Sequence, residues 1–285
     1  MNTRMKIQLT ILFCIIALNI ILPQQKDTIL YQWIPIAAVG LNINQIALSN
    51  WTSGGDNAIS WTLSGLLGLK YITEDWSFKN NLHLAYGKTK LGGASFITND
   101  NEFYMETILS RKFNWAADPY ISNTIRTPLT IGYNYKVNPI LSIADFFDPG
   151  YLTQSIGFIY NKVNGFTTRL GFAAQETFTK KYSALYNIDP ESGQAKSFRI
   201  EAGLESVSTA EYTIAANLLY KGNLRLFTRF KSLDVWDVRW DNALIAKIND
   251  FLNVNLTYLF IYEKAQSPTA QMKESLQLGF VYSIL

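Results

Sequence analysis

A single histidine, His83, is the residue in this chain best suited to general acid–base chemistry. A hydrolase would need it within hydrogen-bond reach of a serine, with a third side chain to orient the imidazole. In an extended strand, His83 shares one face with Lys79 and Asn81, and that polar face is expected to point inward. A bilayer substrate requires a site on the lipid side. We therefore predict a hydrogen-bonded lumen histidine and no catalytic residue, with a phospholipase-like membrane hydrolase as the alternative.

Metal and cofactor chemistry has little support in the residue types. The only cysteine, Cys14, lies in an apolar N-terminal run, so an exported chain without that run has no thiolate ligand and no disulfide. Asp100, Asp145 and Asp148 could hold calcium in surface loops, but solvated loop acids are the simpler interpretation. The chain lacks a phosphate loop, a dinucleotide fingerprint, a zinc pattern and a Gly-x-Ser-x-Gly elbow. We predict no metal and no cofactor.

Charged side chains also gather on the polar faces of three long segments. They could line a selective channel, or they could pair into a structural network. We favour the network, because a small barrel must fill its interior with side chains. The residues of this predicted lumen cluster are Lys79, His83, Arg225, Arg229, Asp237, Arg239 and Asp241.

The elements that would position these residues alternate between apolar and polar side chains over much of their length. From Leu252 the even positions are apolar through Tyr262, whereas Asn253, Asn255 and Thr257 begin the other face. Charged residues make up 16% of the chain, against about 25% in an average soluble domain. Apolar residues outside and polar residues inside are the arrangement of a membrane barrel. A soluble exported β-barrel that binds a small apolar ligand is the remaining alternative.

We predict an all-β, up-and-down antiparallel transmembrane barrel of about twelve strands. Long and short connections alternate along the chain, as in outer-membrane barrels, and an even count returns both termini to the periplasm. Twelve strands give a backbone radius of about 12 Å. A hairpin at Lys221-Gly222-Asn223 would instead favour fourteen strands. The predicted strands are 36–48, 57–71, 76–89, 101–112, 119–136, 151–160, 166–178, 197–206, 214–232, 236–248, 252–263 and 272–284, with a short connection at 207–213.

Residues 1–24 are predicted to be a signal peptide, followed by one barrel domain over 25–285. Arg4 and Lys6 precede an apolar run of about 16 residues, which is short for a membrane helix. Without those two residues the chain has 23 basic and 22 acidic residues, so nothing favours a nucleic-acid partner. The segment 277–284 is similar to the C-terminal signal read by the barrel-assembly machinery. The predicted location is the bacterial outer membrane, with membrane lipid as the main partner.

Four stretches follow one another along the chain in a recognisable order. The most specific is Asn-Trp-x-x-Gly-Gly at 50–55, and a second lies at 143–152. A third runs from Val238-Arg239-Trp240 to 247–249, and the fourth runs from 271–274 into 278–282. Together they resemble an uncharacterised family of outer-membrane barrels, domain of unknown function 3078, found mostly in Bacteroidetes-type bacteria. The resemblance implies a barrel in the outer membrane and no assigned activity. The loop residues that carry it are Asn50, Trp51, Gly54, Gly55, Asp145 and Phe146.

Together these observations predict a non-enzymatic integral outer-membrane barrel. Its role would be that of a narrow channel for a small solute or that of a structural barrel.

Overall fold

A computed structural model describes residues 30–50, 52, 54–113, 115–189, 192–264 and 269–285. The predicted signal peptide and Trp51 lie outside these residues. No helix in the described part of the chain has the length and apolarity needed to cross a membrane.

The described residues form fourteen strands and one short helix, α1 (Ser183–Tyr186). Most strands exceed ten residues, about twice the usual length in soluble domains. The strands are β1 (Trp33–Ile46), β2 (Ala58–Ile72), β3 (Trp76–Leu91), β4 (Ile97–Arg111), β5 (Asp118–Thr127), β6 (Gly132–Asn134), β7 (Leu141–Ala144), β8 (Gly150–Val163), β9 (Phe166–Phe178), β10 (Phe198–Ala215), β11 (Leu218–Arg229), β12 (Ser232–Lys247), β13 (Leu252–Tyr262) and β14 (Gln271–Ser283).

Twelve strands close into one antiparallel barrel, which confirms the predicted fold class. Each strand pairs with its neighbours in chain order, and β1 closes the ring on β14. The two remaining strands, β6 and β7, form a separate hairpin in the connection between β5 and β8. Lys221-Gly222-Asn223 lies within β11, opposite Glu211, Ala210 and Thr209 of β10, so it is not a hairpin. The alternative of fourteen barrel strands is thereby wrong.

Several predicted strand boundaries are wrong, and two of them show why. The connection predicted at 207–213 is strand, because Val207, Thr209 and Glu211 continue the inward face of β10, and the turn falls at Ala216-Asn217. The strand predicted over 119–136 ends at Thr127. Pro128 follows, and its missing N–H cannot donate to a sheet ladder.

Connection length distinguishes the two ends of the barrel. One end carries the connections 47–57, 92–96, 128–149, 179–197 and 263–270, with only two residues at 230–231. The other end has connections of two to six residues, together with the start of β1 and the end of β14. Long outer loops and short periplasmic turns are the rule in outer-membrane barrels. We therefore call these the outer end and the periplasmic end.

The outer wall of the barrel is a belt of exposed apolar side chains. Phe172, Leu170 and Ile156 are 63%, 59% and 59% exposed. A contiguous apolar surface of this size is rarely exposed to water in soluble proteins. Aromatic side chains gather near both ends, with Trp33 against Tyr71 at the periplasmic end and Trp61 against Tyr86 nearer the outer end. An apolar belt between aromatic girdles is the surface of a barrel embedded in a bilayer. The fold is that of an outer-membrane β-barrel.

Candidate functional site: the charged lumen

The pairing register brings the polar faces of all twelve strands together inside the barrel. Successive residues along a strand point alternately into and out of the barrel. Residues that are partners in the register lie side by side, so they point to the same face. The structure places the seven residues of the predicted lumen cluster on the inner side. Arg229 pairs with Asp237 at 2.8 Å, and Arg239 pairs with Asp241 at 2.9 Å. Arg225 finds a different partner, Glu205, at 2.7 Å.

Glutamates on β4 and β10 complete the network, and the prediction from sequence omitted them. Glu201 accepts a hydrogen bond from the Arg229 guanidinium at 2.6 Å, and Glu106 forms an ion pair with Arg169 of β9. Glu102 and Glu106 alternate with outward apolar residues on β4, so the period-two pattern could have identified them. Charge-assisted pairs of this kind are stable in a dry interior only when both partners are satisfied.

An aromatic ring fills the space between two of these arginines. Phe227 of β11 points inward and is fully buried. The Arg225 and Arg229 guanidiniums lie 5.4 and 5.6 Å from its ring centroid, within cation–π range. Arg225 also donates to Gln175 at 2.9 Å. The wall formed by β9, β10 and β11 is therefore thickened by packed side chains near the outer end.

One ion pair crosses the whole lumen. Arg239 of β12 reaches Glu102 of β4 at 3.0 Å, and five strands separate β12 from β4 in either direction around the ring. Arg126 of β5 approaches the same Glu102 oxygen at 3.4 Å. A circular twelve-stranded barrel would hold opposite walls roughly 24 Å apart, farther than one arginine and one glutamate can span. The lumen is thus flattened and constricted at this level.

The periplasmic half of the lumen carries a different set of residues. Lys70 of β2 and Lys79 of β3 are direct partners in the register, and both point inward. Neither has a carboxylate within ion-pair distance in the described part of the chain. Nearby Ile36 and Leu66, also on the inner face, are 40% and 38% exposed, so this half remains open. Lys70 was not among the predicted residues, because only the register places it beside Lys79.

His83 lies on the same inner face, opposite Leu66 of β2 and Tyr104 of β4. Among the described residues no serine hydroxyl is hydrogen-bonded to it. The position matches the lumen placement expected from alternation and not the lipid-facing placement that a bilayer hydrolase needs.

The loop motifs have structural roles at the outer end. Asn50, Gly54 and Gly55 have φ values of +54°, +79° and +106°, which are left-handed angles that glycine tolerates best. Asp145 accepts from the Phe146 backbone N–H at 2.7 Å.

Asp148 joins two long outer loops. Its carboxylate accepts from the backbone N–H groups of Lys180 and Lys181 at 2.9 and 2.7 Å. Burial raises the pKa of the neighbouring Tyr186 phenol above its ordinary value, and Asp148 adds to that shift. The third acid proposed for calcium, Asp100, pairs with Lys273 and accepts from Thr62. The described residues contain no cluster of acidic, histidine or cysteine side chains arranged to hold a metal ion.

Several solved structures are similar to this chain over most of its length. The outer membrane channel COG4313 from Pseudomonas putida F1 is 10% identical, with a TM-score of 0.40, over 92% of this chain and 98% of that one. The translocator domain of the autotransporter NalP from Neisseria meningitidis is 9% identical, with a TM-score of 0.38, over 91% and 90%. The CymD monoaromatic hydrocarbon channel is 11% identical, with a TM-score of 0.34, over 90% and 89%. No curated protein sequence matches the chain.

The family match covers the first part of the barrel. Residues 43–133, from the end of β1 into the connection after β5, match the family described as protein of unknown function DUF3078. This stretch contains the Asn-Trp-x-x-Gly-Gly motif and confirms the resemblance predicted from the sequence. Over residues 43–133, the chain is therefore similar to the DUF3078 family.

Proposed function

We propose that this protein is a narrow channel of the outer membrane for small solutes, closed in this conformation by the ion pair between Arg239 and Glu102. The observation that carries the proposal is the position of this pair, which joins opposite walls of an otherwise polar lumen. Its partner Asp241 is 41% exposed, so water reaches the constriction. A hydrated ion pair can open at a modest cost in free energy, whereas a dry one resists separation.

Conductance across a planar lipid bilayer tests this proposal. We expect the native protein to conduct weakly and the Glu102→Ala variant to conduct several-fold more, because the crossing bridge is lost. Asp250→Asn serves as the control, since Asp250 lies in an exposed periplasmic turn and its loss leaves the lumen unchanged. Absence of conductance in both the native protein and Glu102→Ala would favour a purely structural barrel.

The lysines of the periplasmic half predict the charge preference of such a channel. Within the described lumen, Lys70 and Lys79 are cations that no ion pair neutralises, so small anions should pass more readily than cations. We expect replacement of both by glutamine, in the Glu102→Ala background, to move the reversal potential in a KCl gradient toward zero. Lys88→Gln is the matched control, because Lys88 of β3 lies over the Tyr86 ring on the outer face. Equal shifts in both variants would refute the assignment.

Export and insertion complete the proposal. Residues 1–24 would direct secretion and be removed, and the barrel-assembly machinery would then recognise β14. The outward side chains Leu278, Phe280 and Tyr282 of that strand support this role. An intact mass that includes residues 1–24, measured on protein isolated from the outer membrane, would contradict removal.

A further inference from the structure

Four polar side chains form a continuous row on the lipid-facing wall. Asn80, Thr107, Asn123 and Gln154 are successive partners in the register of β3, β4, β5 and β8. Each lies one position away from residues that point into the lumen, so all four point outward. We call this set the amide row.

The amide row lies within the apolar belt and not at its edge. The outward positions two residues away on either side are apolar on all four strands. On the periplasmic side these are Phe78, Leu109, Ile121 and Ile156, and on the outer side they are Leu82, Met105, Ile125 and Leu152. The row therefore faces hydrocarbon, where water cannot satisfy a carboxamide.

Half of the amide row lacks hydrogen-bond partners. Asn80 donates to Thr107 at 2.7 Å, which satisfies that end. The Asn123 Oδ1 atom is enclosed by protein and has no donor within reach in the described structure. Gln154 is exposed, and its side chain makes no hydrogen bond to any described residue. An unpaired amide in an apolar medium costs several kcal/mol on hydrocarbon transfer scales.

Two other polar pairs of the outer wall are satisfied within the barrel. Thr168 and Ser208 are hydrogen-bonded at 2.8 Å, and Tyr220 donates to Asn242 at 2.7 Å. Thr168 and Tyr220 each stand third in their strands, near the periplasmic end. Gln154 differs on both counts, because it lies among apolar neighbours and has no partner.

We propose that the amide row is the contact surface for a second copy of this chain within the membrane, with a two-fold axis beside Gln154. A carboxamide both donates and accepts, so two symmetry-related Gln154 side chains can satisfy each other. The four members of the row carry no charge, so an identical row on a second copy of the chain complements them. It continues into Ala174 and Ala202, whose small side chains permit the close approach that membrane interfaces favour.

Cysteine cross-linking in native outer-membrane vesicles tests the interface. In a Cys14→Ser background, we expect Gln154→Cys to yield a covalent dimer of twice the monomer mass with a short bis-maleimide. Leu256→Cys is the matched control, because Leu256 of β13 is also exposed on the outer wall, five strands away around the ring. Cross-linking at Gln154 alone supports the proposal. No dimer, an equal yield at both positions, or a product with the mass of another protein overturns it.

A second measurement separates association from folding. We expect Gln154→Leu to weaken the dimer several-fold in analytical ultracentrifugation in detergent, while the barrel keeps its folded electrophoretic mobility. An unchanged dimer in this variant would overturn the role of the amide. The outcome is independent of conduction, because the amide row lies outside the lumen.

Discussion

Replacement of Glu205 by alanine is expected to destabilise the barrel by about 3–5 kcal/mol, the range found when one partner of a buried ion pair is removed. The Glu205 side chain is only 2% exposed and holds the Arg225 guanidinium at 2.7 Å. Without it, Arg225 keeps only neutral partners, Gln175 and Thr153, at 2.9 and 3.4 Å. Its charge then remains beside the fully buried Phe227, where the Arg225 side chain is only 24% exposed. Denaturant unfolding in detergent micelles measures the loss.

Glu211→Ala is the matched control for this experiment. Glu211 lies on the same strand and the same face, and it pairs with Lys221 at 3.4 Å, but its side chain is 61% exposed. Exposed pairs contribute about 0–1 kcal/mol, so the free energy of unfolding should barely change. Equal decreases in the free energy of unfolding for the two variants would show that burial does not determine how much these ion pairs stabilise the barrel.

Gly171→Val is expected to leave most of the protein molecules unfolded. Gly171 of β9 faces Gly157 of β8 inside the barrel, and the Tyr120 ring approaches this gap. A Cβ atom on Gly171 would lie 2.4 Å from the Ile156 carbonyl oxygen and 2.9 Å from the Tyr120 hydroxyl. Backbone cannot move away as a side chain can, so the cost should exceed about 3 kcal/mol, the upper end of ordinary overpacking. The folded fraction follows from the electrophoretic shift between unheated and heated samples.

Gly65→Val provides the comparison on the outer wall. The nearest atom to a Cβ on Gly65 is 3.9 Å away, which is ordinary contact. Valine suits a strand and adds apolar surface toward lipid, so this variant should fold as well as the native chain. If both variants misfold, glycine is required at these strand positions for a reason other than the close backbone contact at Gly171.

The sequence by itself determined the barrel and the direction of most side chains, whereas the structure decided between twelve and fourteen strands. Apolar–polar alternation has a period of two, so the placement of residues such as Arg239 and Asp241 follows once a strand is recognised. The boundaries at 207–213 and 119–136 failed for local reasons. Alternation continued through a Ser- and Thr-containing stretch that resembled a turn, and Pro128 ended a strand whose apolar pattern continued beyond it.

Only the tertiary structure decided which residues meet. Glu102 and Arg239 are 137 residues apart in the chain, and only closure of the ring brings opposite walls together. The same holds for Lys70 beside Lys79, and for the amide row, whose four members come from four strands. Period-two patterns report a residue's face but not its height along the barrel or its partner on the next strand. Register supplies both, and it depends on turn lengths and on the closing pair β1–β14, which no local pattern encodes.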